Sequence, residues 1–453
     1  MKQNNTPSAV ERNLLDNRFI GGLMKSKWYP GIIQWPTALV FFLIMYLLLL
    51  GPTMSHSNFG SALTWILWWP LIPLVFLLFG RFWCAICPFG TINDLVQKYV
   101  GHNRPVPNFL KKYGVWIIMA AFIAITWADN VFGVIKSPWA SGVLLLLILT
   151  GVVISGVFFE RRAWCRHLCF LGGMSSNYSQ TGMLALRGTP EKCAKCKVTA
   201  CYKGNDKAPG CPMFEFPRTM DTSGQCNLCG YCVKSCPNNS LTLTVRPPTK
   251  ELWSIKKPRF AAALLAVVIM GILFVQNAAM LEIWQSILSG LEGVLGTDNN
   301  TILFTAAFTA AIGAPILLLW LASLAAKKIN GETVTKNFAR FGYAVIALSL
   351  AGHISHNLFH LLGEGGSIVA IGATFVGATA SVAPGLFNGS IIQVLQYFVI
   401  ILGIAGSLYT TYRIAKSNFP DKVLATVLPF GALILSLGIV NLFLASMPMT
   451  HRM

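Results

Sequence analysis

The stretch from Cys193 to Pro237 reads CAKCKVTACYKGNDKAPGCPMFEFPRTMDTSGQCNLCGYCVKSCP and holds eight of the chain's 12 cysteines. They fall into two sets of four, each ending in Cys-Pro. The second set, Cys226, Cys229, Cys232 and Cys236 before Pro237, has the C-x2-C-x2-C-x3-C-P spacing of a bacterial ferredoxin. The first, Cys193, Cys196, Cys201 and Cys211 before Pro212, is the same pattern with longer gaps. Three closely spaced thiolates wrap one face of a cubane cluster, while the cysteine before the proline ligates the other cluster. The spacing therefore predicts two [4Fe-4S] clusters with a crossed assignment: Cys193, Cys196 and Cys201 with Cys236, and Cys226, Cys229 and Cys232 with Cys211. A zinc ribbon wants two C-x2-C pairs and has no use for the third cysteine or the Cys-Pro.

Around this stretch the chain is a membrane protein. Of its 453 residues 54% are hydrophobic and only 11% charged, too apolar for a soluble enzyme of this size. Nine apolar spans of helical length are read at 33–52, 63–80, 114–127, 142–159, 260–279, 302–325, 341–362, 391–410 and 424–446, the third being short. The net charge of +19 invites a nucleic-acid reading, but the distribution of the 35 Lys and Arg residues decides otherwise. With the N-terminus inside, all of them except Lys136 and Arg452 fall on the inner side of the spans. That is the positive-inside signature of a multi-pass protein in a bacterial or archaeal plasma membrane, and it leaves no role for nucleic acid. The cysteine-rich stretch then lies in the cytoplasm, where thiols stay reduced. The first apolar run follows a polar segment of about 30 residues and is long enough to span, so it is kept as a helix, not a cleaved signal.

The expected fold class is an all-α polytopic membrane protein of about nine transmembrane helices with an inserted cytoplasmic ferredoxin-like domain. Its parts are a cytoplasmic N-terminal segment (1–32) along the membrane surface, a four-helix membrane core with paired cysteines (33–160), the ferredoxin-like domain (161–259), and a C-terminal membrane bundle of about five helices (260–453). The run SLTLTV at 240–245 reads as a strand, and residues 280–300 as a helix on the outer interface. Trp28, Tyr29, Trp35, Trp65, Trp68 and Trp69 stand near span ends and read as interface anchors.

Two further constellations carry chemistry. The second helix leaves the membrane at GRFWCAICPFG with Cys84 and Cys87, and the fourth at ERRAWCRHLCFLGG with Cys165 and Cys169. Two hairpins thus bring four thiols to one membrane face, each pair with an aromatic residue before its first cysteine. Buried gap-filling cysteines are the plain alternative; a third iron-sulfur cluster, a dithiol pair or a copper site are the functional ones. In the seventh span, AGHISHNLFHLLGEGG places His353, His356, His360 and Glu364 on one helix face. At about 1.5 Å per residue the column occupies the outer half of the bilayer, where ionisable groups are costly and functional by default. It is read as a b-type haem or metal site, as a quinol site with its proton exit, or as polar glue between helices. A haem would need a second axial His, which no other span supplies. At the C-terminus Met447, Met449, His451 and Met453 are soft copper donors on what reads first as a frayed tail.

Four helices, paired cysteines at the inner ends of the second and fourth, and a following two-cluster ferredoxin stretch resemble the membrane polyferredoxins, the family of the NapH, NosR and CcoG proteins. The resemblance covers residues 33 to about 245. Members carry C-x3-C-P at each exit; here Cys84 and Cys87 are one residue closer with Pro88 kept, and Cys165 and Cys169 have the full spacing with Phe170 in place of proline. The resemblance implies an electron-transfer subunit, quinol-oxidising or fed by cytoplasmic donors, that serves a respiratory reductase or cytochrome partner. The CcoG side of the family implies the alternative, reduction or delivery of copper during assembly of a respiratory enzyme, with the four edge cysteines as working thiols.

Overall fold

Apolar runs of about 20 residues can leave water only by closing their own backbone hydrogen bonds, so they become helices. In the computed structural model, which describes residues 12–380 and 382–448, nine helices among the described residues are long and apolar enough to cross a membrane. They are Gly31–Leu50, Phe59–Val100, Asn108–Phe132, Pro138–Phe158, Phe260–Ala278, Asn300–Asn330, Val334–Gly363, Gly389–Asn418 and Pro420–Ser446. The protein is therefore an all-α polytopic membrane fold. The third helix, short on hydropathy alone, has 25 residues because it continues through polar positions at both ends. Side-chain caps start several helices: Asn58 accepts from the Ser61 amide, Ser137 from that of Ala140, and Asn388 from that of Ser390. The donors Met449, His451 and Met453 lie outside the described residues.

Burial sorts the helices into an inner pair and a lipid-facing ring. In Val334–Gly363 and Phe260–Ala278, 78% and 61% of the apolar window is buried, against 17% in Asn108–Phe132. The helix that carries the three histidines is thus the most enclosed. The inner pair joins one large hydrophobic cluster that includes Phe76, Tyr178, Ile269, Phe341 and Phe430. Gly271 lets two backbones meet, since a Cβ there would stand 2.6 Å from the Cα of Ile312.

Between the fourth and fifth spans, two short antiparallel ladders frame the cysteines. Leu184–Gly188 pairs with Leu241–Val245, Leu184 opposite Val245 and Gly188 opposite Leu241, and Gly204–Asn205 pairs with Ala208–Pro209. The first ladder packs Leu186, Leu241 and Leu243 inward. Its far end is held by buried Glu251, which bonds Arg187, Arg246 and the Ser223 amide. Sequence reading finds the Leu241–Val245 strand but not its partner.

The N-terminal segment, expected along the membrane surface, packs one face on the cysteine-rich region. Leu15, Met24 and Tyr29 are buried against Leu186, Leu228 and Val233 of the ferredoxin-type domain. The Tyr29 hydroxyl donates to the Leu228 carbonyl at 2.7 Å, and Lys234 bonds the Tyr29 carbonyl. Hydropathy alone cannot separate a segment that lies on lipid from one that lies on protein. Between the seventh and eighth spans Gly365–Phe375 is a further helix. Ile283–Leu295 is a helix with no buried residue.

Tyr29→Ala is expected to destabilise this docking by about 3 kcal/mol and to expose the chain before Gly31 to protease, whereas Tyr29→Phe, which loses only a hydrogen bond, costs about 1 kcal/mol. Limited proteolysis of the intact protein, with loss of visible absorbance on heating, measures both.

Candidate metal centres

The local chain geometry follows from the cysteines' neighbours. At the first exit the helix stops at Cys87, which is extended (φ −58, ψ 130), and Pro88 opens the next helix. At the second exit Cys169 takes the same extended position (φ −74, ψ 117) and caps the Phe170–Tyr178 helix itself, its Sγ accepting from the Gly172 amide at 3.3 Å. The thiol cap does at Cys169 what proline does after Cys87, so Phe170 can stand where the family has proline.

The structure brings the cysteines together in three groups, and all 12 are free thiols. Cys193 and Cys236 meet across Ser240, whose hydroxyl is 3.4 Å from one Sγ and 3.2 Å from the other. Cys236, Cys193 and Cys196 stand close enough to Cys201 to raise its proton affinity. Cys211, Cys226, Cys229 and Cys232 line a second cavity with Asn227 and Gly230. Burial first, then the neighbouring thiols, pushes Cys201 up to about 11 and Cys229 up to about 12, and burial pushes Cys226 up to about 11. As free thiols these groups hold their protons at neutral pH, so binding iron there must release them. Among the described residues no three His, Cys, Asp or Glu side chains converge as ligands of a single ion would. All-sulfur sets spread around a cavity suit a cluster better than one metal ion.

The third group is Cys84, Cys87, Cys165 and Cys169, which line one cavity of about 110 Å³. Its walls run from the thiols past Trp65, Trp68 and Phe122 to Asp129 and Ile135 at the far ends of the helices. Trp65, Trp68 and Trp69, read as interface anchors from sequence, belong to this lining, while Trp28 and Trp35 are exposed. Burial, then the other three thiols, raises Cys169 well above its ordinary value.

Two arginines that the sequence reading passed over organise this group. Arg81, 1% exposed, donates from Nε to Cys84 Sγ at 3.4 Å and from Nη2 to the Cys165 carbonyl at 3.0 Å. Its Nη1 reaches the Gly224 carbonyl at 2.8 Å and Gln225 Oε1 at 2.6 Å, immediately before Cys226. One guanidinium therefore touches both exits and the ferredoxin-type domain. Arg162 donates to the Cys84 carbonyl at 2.7 Å and pairs with Asp94 at 2.6 Å. Gly90 leaves it room, since a Cβ there would stand 1.9 Å from the guanidinium. The signal was present as a repeat, Arg-x-Trp-Cys at 81–84 and again at 162–165.

His353, His356, His360 and Glu364 share the enclosed helix and are all buried. The Tyr178 hydroxyl is 2.7 Å from His353 Nδ1 and 2.9 Å from the Ser349 hydroxyl. The His356 and His360 rings lie 5.0 Å apart, and His360 Nδ1 is 2.9 Å from Glu364. A small cavity beside His356 has Asn277, Ser355, Gln396 and Asn441 among otherwise apolar walls. Tyr178 ends the helix that begins after Cys169, and on that helix Ser175 Oγ is 3.4 Å from Cys84 Sγ. Nine residues thus separate the edge thiols from the histidine column.

A family model described as a 4Fe-4S binding domain matches residues 61–107 and 141–180. These are the second and fourth membrane helices and their exits with all four edge cysteines, not the Cys193–Pro237 stretch. Among curated proteins, the ferredoxin-type protein NapH of Escherichia coli (strain K12) is 23% identical over 194 residues, 39% of this chain and 66% of NapH. The uncharacterized protein MJ0750 of Methanocaldococcus jannaschii is 24% identical over 194 residues, 38% of this chain and 76% of that protein. The chain thus spans just under two thirds of NapH, and no solved structure gives a significant match. Over this segment the chain is similar to the membrane polyferredoxins and carries the match to a 4Fe-4S binding domain within a multi-pass membrane fold.

Proposed function

We propose that the protein is an electron conduit in a bacterial or archaeal plasma membrane, linking the quinol pool or cytoplasmic donors to a respiratory partner. Two [4Fe-4S] clusters would be held in the cytoplasmic domain, by Cys193, Cys196, Cys201 and Cys236 and by Cys211, Cys226, Cys229 and Cys232. A third would be held by Cys84, Cys87, Cys165 and Cys169. Bound, such clusters supply one-electron carriers. The observation that carries the reading is Arg81, whose contacts to Cys84 and to Gln225 leave the edge thiols and the Cys226 set one buried side chain apart.

The chain's own residues have defined parts in this scheme. Ser240 holds Cys193 and Cys236 in one place, and Arg81 and Arg162 lock the two exits together. The apolar cavity above the edge thiols would receive the ring of a quinol from the lipid phase. The column from Tyr178 through His353, His356 and His360 to Glu364 would carry the protons released there, because it supplies protonatable groups along the most enclosed span. A haem held by two histidines is disfavoured: among the described residues no helix facing the column carries another His.

Anaerobically purified protein should show three clusters by iron, acid-labile sulfide and EPR spin count. Cys84→Ser with Cys165→Ser should remove one of them and leave the other two signals, and Cys229→Ser should remove a different one. Zinc without iron would end the reading, and stoichiometric copper lost with the four edge cysteines would replace it with the assembly role. His360→Ala is expected to slow quinol-dependent reduction of the clusters at least tenfold with their number unchanged, measured by stopped-flow bleaching; an unchanged rate would remove the column from the path.

A further inference from the structure

The two exits are equivalent in sequence and cross-linked in space. Arg81 bonds the Cys165 carbonyl of the other exit, and Arg162 bonds the Cys84 carbonyl in return. The equivalence ends at the charge. Arg162 is neutralised by Asp94. Among the described residues Arg81 has no carboxylate within ion-pair distance; its partners are a thiol, two carbonyls and an amide oxygen. A guanidinium taken out of water without counter-charge is strongly disfavoured, so the cavity next to it is where negative charge belongs.

A second observation points to the same place. The indole N–H groups of Trp68, Trp83 and Trp164 are buried without a hydrogen-bond partner. All three side chains line the cavity that holds the four thiols. A buried donor left unpaired is costly, and native proteins leave few of them. Three such donors in the walls of the cavity that holds the four thiols, and an unbalanced cation bonded to one of them, fit an anionic group rich in acceptors. The sulfide and thiolate sulfurs of an iron-sulfur cluster are such a group.

We propose that Arg81, Trp68, Trp83 and Trp164 set the reduction potential of the cluster at Cys84, Cys87, Cys165 and Cys169, and hold it above that of the cluster at Cys211, Cys226, Cys229 and Cys232. This rests on the reading that the edge cysteines hold a cluster. Reduction adds negative charge, and hydrogen bonds to sulfur together with a nearby cation stabilise the reduced form. Burial opposes this by disfavouring added charge, but both sites are buried, so the donors and the cation decide the order. The lining of the Cys226 cavity offers one comparable unpaired donor, Asn227 Nδ2, and a carboxylate, Glu215, and Arg81 reaches that side only through Gly224 and Gln225, its one thiol contact being Cys84.

Potentiometric EPR titration of the full-length protein tests the ordering, in wild type, in Arg81→Gln and in the double variant Trp83→Phe with Trp164→Phe, which keeps the rings and removes the N–H groups. At a fixed ambient potential the reduced-to-oxidised ratio of the edge cluster should fall at least tenfold in Arg81→Gln, 59 mV for a one-electron couple. It should fall in the same direction in the double variant, while the two ferredoxin-type signals stay in place. A wild-type edge cluster titrating below the ferredoxin-type ones overturns the proposal, as does an unmoved potential in the double variant. If Arg81→Gln loses the cluster, the double variant alone decides. Absence in wild type of any signal that depends on the four edge cysteines would sink the underlying reading as well, whereas a present cluster with unmoved potential sinks only this inference.

Discussion

Arg81 stands where two helix exits and the loop ahead of Cys226 converge, and its donors reach all three. Removing a cation from water is tolerable only when each N–H finds an acceptor in fixed geometry. That requirement sets the register of one exit against the other and of both against the ferredoxin-type domain. Arg162 repeats the constraint from the opposite exit, with Asp94 as its counter-ion and Gly90 giving it passage. Gln34, which donates to the Ala85 carbonyl at 2.7 Å, fixes the first helix to the same point. The thiol site is thus held by polar contacts in a region whose other contacts are apolar and undirected.

The C-terminal helices lie outside the family match, and their polar content is concentrated where it is most expensive. Val334–Gly363 is the most enclosed span and carries three histidines. Each is placed by a specific neighbour: His353 by Tyr178 and Ser349, His360 by Glu364, and the wall around His356 by Gln396, Asn277 and Asn441. Tyr178 belongs to the cysteine-bearing half, so the two halves meet through a hydrogen bond and not only through packed apolar surface. The lipid-facing helices, by contrast, expose Leu39, Leu147, Leu428 and Ile439, and dispersion with lipid asks nothing of their exact position.

Much of this molecule is legible in one dimension because two of its determinants are local. Hydropathy over about 20 residues is a property of a window, so nine spans can be read without knowing what they touch. Cysteine spacing is equally local, since a cluster's size dictates how far apart its ligands stand along the chain. The Leu241–Val245 strand was visible as a β-branched run bounded by prolines, but its partner at Leu184–Gly188 was not, because pairing is a relation between distant segments. Trp65, Trp68 and Trp69 look like interface anchors in sequence, as any indole near a span end does. Which side of the helix faces lipid and which faces a cavity depends on the neighbouring helix.

The sequence by itself determined the class of the protein and the number of its spans, and it proposed the thiol sets, since hydropathy and ligand spacing are written within short windows. Only the tertiary structure decided that Arg81 joins the edge thiols to the Cys226 loop, that Tyr178 meets His353, and that the N-terminal segment docks on the ferredoxin-type domain. Those are contacts between residues 144, 175 and 199 positions apart. The physical reason is that a buried polar group must be satisfied by whatever the fold brings within about 3 Å, and that partner has no fixed place along the chain.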